Sequence, residues 1–233
     1  MASPPTARSL LAALQAERPR FHAASAAEQG DAGRWDWSIR PQVLEFLADL
    51  DTPLEATLET GCGYTTVLLA ARSRRHHAVT PVGGEIRLIR DWAEAHGLPM
   101  GHVMHLDGPS QDVLPRIQLP LLDLILVDGD HAFPAPFIDW YYTADRLRPG
   151  GLLLIDDIHL RACRMLDSFL RTETARWQAC TRLGNTSVWR RRDNRPVARG
   201  VTHGEQPFAQ EIRSVSWAMG RVRNAARAAL KGA

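Results

Sequence analysis

Glu55-Ala-Thr-Leu-Glu-Thr-Gly-Cys-Gly-Tyr-Thr-Thr66 is the stretch whose reading decides the fold. A short strand pattern, Ala56–Glu59, ends in an acid. Gly61 and Gly63 follow, and an apolar helix opens at Thr65–Thr66 with Val67, Leu68, Leu69, Ala70 and Ala71. Glycine tolerates positive φ and lets a ligand lie against the backbone. The helix start offers unpaired N–H groups at a positive dipole end. A dinucleotide site would add a third glycine after a two-residue spacer. That glycine is missing here, and a carboxylate stands two residues before the first. The pattern favours a cationic ligand that carries an amine, S-adenosylmethionine ahead of NAD.

Outward from this stretch, strand and helix patterns alternate, the signature of a parallel α/β sheet. Strands are expected at Ala56–Glu59, His77–Thr80, His102–Leu106, Leu122–Asp128 and Leu152–Asp156. The run at 122–128 is almost continuously apolar, as in a strand covered on both faces. Helices are expected over Thr65–Arg74, Glu85–His96 (ended by Gly97), Ser110 through Leu114, Pro136–Leu147 and His159 to about Thr174. Arg148-Pro-Gly-Gly151 reads as a turn. Upstream, Ser9–Glu17 suits a short helix, Ala27–Gly33 a flexible join, and Pro41 opens another helix. Downstream, Trp177–Leu183 and Thr186–Arg191 flank Gly184-Asn185, a tight hairpin turn. Residues 193–210 read as irregular, and Ile212–Leu230 as an amphipathic helix.

Three motifs carry a family resemblance. Glu59-Thr-Gly61-Cys-Gly63-Tyr-Thr65-Thr66 resembles motif I of the class I S-adenosylmethionine-dependent methyltransferases. Val127-Asp128-Gly-Asp130-His131 and Ile155-Asp156-Asp157 are similar to motifs of the branch holding small-molecule and sugar O-methyltransferases with an Asp-rich metal site. The resemblance spans roughly residues 38–192. It implies a Rossmann-like seven-stranded sheet of order 3-2-1-4-5-7-6, helices on both faces and an antiparallel closing hairpin. The segmentation expected is an N-terminal extension or lid (1–37), a methyltransferase domain (38–192), and an irregular segment with a C-terminal helix (193–233).

Ligands of open α/β sheets bind beyond the carboxyl ends of the strands, so Glu59 is expected to face that crevice. The resemblance puts the matching acid near the donor's amino group and lines the methionyl chain with Gly61, Cys62 and Gly63 and the helix start at Thr65 and Thr66. Most relatives end the second strand with an acid for the ribose; Val79-Thr80-Pro81-Val82 has none. Either Glu85 reaches back from its helix, or backbone and Thr80 hold the ribose. Asp107-Gly108-Pro-Ser110 resembles the segment beside the adenine, with Asp107 as acceptor for its exocyclic amine; Ser110 also suits a helix N-cap.

Asp128, Asp130, Asp156 and Asp157 crowd one rim, because adjacent strands lie about 4.8 Å apart. Like charges that close raise each other's pKa unless a cation relieves them. All-oxygen ligands point to a hard divalent ion, Mg²⁺ first. The resemblance matches Asp128, Asp156 and Asp157 to metal ligands, with Asp128 also beside the donor. Asp156 and Asp157 can share one ion only where the strand ends and turns. Asp130 and His131 are the candidate bases: the resemblance favours Asp130, whereas intrinsic pKa favours His131. Helix N-caps are the plainer reading of these acids. His159 stands close enough in sequence to approach the same ion. Trp35, Trp37 and Trp140-Tyr-Tyr142 suit either an aromatic acceptor pocket or packing.

The 233 residues suit one α/β domain with an extension, and 45% hydrophobic content supports a sizeable core. A net charge of +2 gives no argument for nucleic acid. Lys231 is the only lysine, which fits coding bias rather than a binding surface. The basic face of the C-terminal helix suits a solvated surface, a homo-oligomer contact or an anionic partner. Three cysteines (Cys62, Cys163, Cys180) without metal-like spacing fit a reducing, cytoplasmic compartment. No apolar run approaches membrane-spanning length. The expected activity is methyl transfer to a hydroxyl of a small molecule. The alternatives are an NAD-dependent oxidoreductase, a non-catalytic S-adenosylmethionine-binding protein, and a metal-containing hydroxylase on the same sheet.

Overall fold

The computed structural model describes residues 4–22, 39–50 and 53–209. The chain divides into two units, Met1–Gly200 and Val201–Ala233. The first holds the sheet. Its strands are β1 (Thr57–Thr60), β2 (His76–Thr80), β3 (Val103–Asp107), β4 (Leu122–Val127), β5 (Leu147–Ile155), β6 (Trp177–Leu183) and β7 (Thr186–Arg191). They form one sheet of order β3-β2-β1-β4-β5-β7-β6. β1 to β5 run parallel, and β7 joins β5 and β6 antiparallel. The strand order reverses between β1 and β4, so the crevice opens where their carboxyl ends meet.

Along β4, side chains alternate across the sheet, and the core follows them. Leu124 and Leu126 face one layer together with Leu154 of β5. That layer is closed by α1 (Ala7–Glu17), α2 (Pro41–Ala48), α3 (Tyr64–Arg72) and α4 (Gly83–Ala95). Ile125 and Val127 face the opposite layer with Leu153, Ile155 and Trp189. There α5 (Ser110–Val113) lies beside α6 (Ala135–Thr143) and α7 (Arg161–Thr172). Burial on both faces is why the central strands read as apolar runs rather than alternating ones. The second unit's described part, 201–209, holds two short 3₁₀ turns.

The hairpin strands begin and end where their patterns place them, and the other described elements shift by one to four residues. One element differs in kind. Arg148-Pro-Gly-Gly151 is not a turn before β5 but a bulge inside it. Leu147 pairs with Leu122, and the next pair is Leu152 with Leu124. Five residues of β5 therefore span two of β4, and the excess is absorbed at the glycines. A Cβ on Gly151 would lie 2.8 Å from the Leu147 side chain and 2.9 Å from the Arg148 carbonyl oxygen. Strand and turn residues coexist here because the bulge supplies the bend. The join at 27–33, Trp35, Trp37 and the C-terminal helix at 212–230 lie outside the described residues.

Leu154 is fully buried between β4 and β7, whereas Met104 on edge strand β3 is 55% exposed. Leu154→Ala is expected to cost about 2–5 kcal/mol in urea unfolding, and Met104→Ala about 0.5 kcal/mol or less.

Candidate active site

At the tip of β1 the chain turns through Gly61 with φ +89°. The Gly61 N–H donates to the Val79 carbonyl at 2.8 Å. A Cβ there would overlap the carbonyl oxygen of Asp128 and lie 3.1 Å from its carbon. The glycine loop and the Asp128 loop thus touch backbone to backbone. No side chain fits between them.

Glu59 does not face the crevice, and this corrects the expectation. Its side chain is 1% exposed. One carboxyl oxygen accepts from the Thr65 hydroxyl at 2.6 Å. The other accepts from the Thr66 hydroxyl and faces His76 Nε2 at 3.0 Å. Thr66 Oγ1 in turn accepts the Gly63 N–H at 2.9 Å. His76, fully buried, also reaches the Thr57 hydroxyl at 2.9 Å. The physical reason is satisfaction: a carboxyl this deep needs partners, and the first turn of α3 and β2 supply them. Glu59, Thr65 and Thr66 hold the loop of Gly61, Cys62 and Gly63 from below through their side chains.

Glu85, in the first turn of α4, turns toward the glycine loop. Its side chain is buried, and the Cys62 thiol donates to Oε2 at 3.4 Å. Oε1 lies 3.1 Å from His22 Nδ1. Sequence reasoning missed His22, which comes from the N-terminal extension. Its Nε2 would sit 3.2 Å from a Cβ on Gly63. Tyr64 anchors this segment by donating to the Pro19 carbonyl at 3.0 Å, and Phe21 packs edge-on against the Tyr64 ring at 5.5 Å. A lone aromatic, Phe21, in an alanine-rich segment was the available signal. Burial, then the Glu85 and Glu59 carboxyls, push the Cys62 thiol up, so it is no nucleophile.

At the end of β3, Leu106, Asp107 and Gly108 line a hollow of about 360 Å³ with Val113, Arg116 and Ile117. The Gly108 N–H donates to the Thr80 carbonyl at 3.2 Å, which fixes this loop against β2. Ser110 is buried and opens α5 without capping it by its side chain.

The carboxylates gather at the neighbouring rim. Asp128 follows β4; Asp156 and Asp157 follow β5. Asp157 is left-handed at φ 49°, the turn that brings both acids to one side. Asp156 accepts from the Thr186 hydroxyl of β7. His131 Nε2 stands 3.8 Å from Asp128 Oδ1 and 3.4 Å from Asp157 Oδ2. Among the described residues nothing hydrogen-bonds to that buried nitrogen. His159 Nδ1 lies 3.3 Å from Asp157 Oδ1. Burial, followed by the charges of Asp156, Asp157 and Glu59, holds the Asp128 carboxyl well above the usual range. A quarter of its side chain is still exposed, so a ligand can reach it. Asp130 is exposed, and its carboxylate accepts the Ala132 N–H at 2.8 Å. It closes the turn, while His131 points into the rim.

Beneath the rim lies a group that the sequence reading did not single out. Asp139 of α6 is fully buried and accepts from the Thr60 hydroxyl at 2.7 Å. Burial raises its pKa to about 6 against the opposing pull of Ser110 and Thr60. Trp140-Tyr-Tyr142 is divided: Trp140 packs edge-on against Phe169 at 4.9 Å in the core. Tyr141 and Tyr142 carry the Arg199 guanidinium at 5.9 and 5.0 Å. They line an outer hollow of about 330 Å³ with Phe137 and Ile138, rather than the crevice.

Residues 58–158 match a methyltransferase domain. The matched segment runs from β1 past Asp157 and contains both the glycine loop and the rim. The O-methyltransferase TomG from Streptomyces achromogenes, involved in tomaymycin synthesis and solved with S-adenosylmethionine, is 17% identical with a TM-score of 0.56. The alignment covers 78% of this chain and 89% of that one. An O-methyltransferase from Bacillus cereus, solved with S-adenosylhomocysteine, is 18% identical at TM-score 0.55, again covering 78% and 89%. At such identities the likeness establishes the Rossmann-like fold. No curated protein matches the chain.

Asp128, Asp156 and Asp157 suit a hard divalent cation by donor chemistry: all three offer carboxylate oxygens, and the charges of the other two add to burial in raising the Asp128 carboxyl. As placed, no group of three or more His, Cys, Asp or Glu among the described residues is arranged as a coordination set. Asp156 is bonded to Thr186, and His131 stands against the other two acids. No described helix is long and apolar enough to cross a membrane.

Gly61→Ala is expected to destabilise the fold by about 2 kcal/mol or more and to abolish ligand binding at the loop, because strain and overlap combine. Gly101→Ala, where a Cβ meets nothing within 4 Å, is expected to change neither, by thermal melts and calorimetry. Asp139 has a second consequence. Its folded pKa of about 6 exceeds the unfolded value near 3.9, so the folded state holds the extra proton. Its contribution to stability is therefore present at low pH and lost as pH rises from about 4 to 6. Relative to wild type, Asp139→Asn should gain stability across that window, on the order of 2–3 kcal/mol, whatever its constant offset. Equal pH profiles would contradict this.

Proposed function

We propose that this chain is an S-adenosylmethionine-dependent methyltransferase that transfers the methyl group to a hydroxyl of a small molecule. The observation that carries the reading is the backbone contact of Gly61 with Asp128. It sets a glycine loop suited to a sulfonium donor directly against an acidic rim suited to an acceptor. An NAD site would want a third glycine and a phosphate-binding helix start. The loop here has an acid beneath it and an acid, Glu85, beside it.

The donor would lie with its methionyl chain along Gly61–Gly63, its ribose at Glu85 and its adenine in the hollow at Leu106–Gly108. Asp128 would face the amino and sulfonium end. Methyl transfer is an in-line displacement: the acceptor oxygen bonds to the methyl carbon, the carbon–sulfur bond breaks, and S-adenosylhomocysteine leaves. The hydroxyl proton must also go somewhere. Nε2 of His131, orphaned among the described residues, is the base this geometry favours, with Asp128 and Asp157 placed to stabilise the imidazolium. Asp130 then keeps the turn that aims His131. A divalent cation, Mg²⁺ by donor chemistry, would be held by Asp128, Asp156 and Asp157. When bound it supplies charge that acidifies an acceptor hydroxyl.

Two measurements test this. Isothermal titration with S-adenosylhomocysteine is expected to show binding that Mg²⁺ modulates in wild type. In Asp128→Ala the binding should persist and the Mg²⁺ effect vanish; identical behaviour of both proteins would remove the metal assignment. Tight NAD binding without S-adenosylhomocysteine binding would overturn the reading itself. With an acceptor found from a library of hydroxylated compounds, His131→Ala should lower kcat about 10²–10⁴-fold and Asp130→Ala about tenfold or less. The reverse ranking would return the role of base to Asp130.

A further inference from the structure

Asp139 makes a costly choice for a core position. A carboxyl with one strong hydrogen bond destabilises an apolar interior, where a leucine would pack without penalty. Its neighbours suggest what it does instead. The Thr60 hydroxyl donates to Asp139 Oδ2 at 2.7 Å, and the same hydroxyl oxygen accepts the Asp128 N–H at 3.3 Å. Asp139 thereby aims the Thr60 proton inward and leaves the oxygen's free lone pair for Asp128. Thr60 is the last residue of β1, immediately before Gly61. It is also the wall for the next loop: a Cβ on Gly129 would lie 3.2 Å from Thr60 Cβ and Oγ1. Ser110, at the start of α5 beside the adenine hollow, faces the same carboxyl and holds its proton affinity down together with Thr60. One buried side chain thus meets the end of β1 directly and reaches the loop after β4 through the Thr60 hydroxyl.

We propose that Asp139 is a positioning residue that sets the spacing of the loops after β1 and β4, acting through Thr60, so that donor and rim stay in register. The assignment rests on the methyltransferase reading for its functional consequence, though not for its structural one. It touches neither donor nor acceptor; it fixes what does. Loss of a buried hydrogen bond of this kind is expected to weaken donor binding about tenfold.

The test combines S-adenosylhomocysteine calorimetry with hydrogen exchange of the ligand-free protein. Asp139→Leu and Thr60→Val should each weaken binding about tenfold. Thr60→Ser and Asp139→Asn, which keep a donor and an acceptor, should stay within about threefold of wild type. The double variant D139L/T60V should bind no worse than Asp139→Leu, because both changes break one chain. Without ligand, exchange should quicken at residues 58–66 and 126–132 in both damaging variants. Thermal melts guard against a folding defect: a purely structural role would lower Tm and leave the affinity of the folded protein unchanged. Wild-type affinity in Asp139→Leu, or faster exchange confined to α6, would overturn the proposal. Failure of wild type to bind S-adenosylhomocysteine would sink the methyltransferase reading instead, and the exchange data would still decide the positioning role.

Discussion

The backbone of Gly61 rests on the carbonyl of Asp128, and everything at the carboxyl edge of the sheet is arranged around that contact. It requires φ +89° and the absence of a side chain. It also requires β1 and β4 to be neighbours, which the crossover between them provides by placing β2 and β3 on one side and β5 on the other. A loop able to accept an amine-bearing sulfonium and a rim rich in carboxylates are then separated only by backbone. In-line transfer depends on holding two partners in near-attack geometry, and under the proposed function this contact would do so.

Two buried polar networks hold that contact from below, one for each side. On the first, Thr57, His76, Glu59 and Thr66 form a chain that ends at the Gly63 N–H. On the second, Asp139 and Thr60 reach the Asp128 N–H. Buried polar groups are costly, and the hydrogen bonds they make rigidify the elements they join.

Much of this was legible in the sequence. Period, glycines and the Gly184-Asn185 turn placed the strands, since local chemistry and tertiary environment agree at those positions. The bulge at 147–151 was not legible, because Pro-Gly-Gly has the composition of a turn whether or not strand pairing continues through it. At the site, spacing located the acids but not the direction of their side chains. Glu59 was expected to face a ligand and instead lies under its loop, since Thr65, Thr66 and His76 meet its oxygens. Asp130 and His131 are adjacent, and only the turn closed at Ala132 sends their side chains in different directions. Thr60, Asp139 and His22 belong to no local pattern. Their partners are 63 to 79 residues away in sequence, so only folding reveals them.

A crystal structure with S-adenosylhomocysteine and Mg²⁺ tests the central claim most directly. The ligand's sulfur is predicted between the Gly61–Gly63 backbone and the Asp128, Asp157 and His131 side chains, with its ribose at Glu85. A sulfur directed away from that rim, or a crevice that excludes the ligand while it binds elsewhere, would contradict the account.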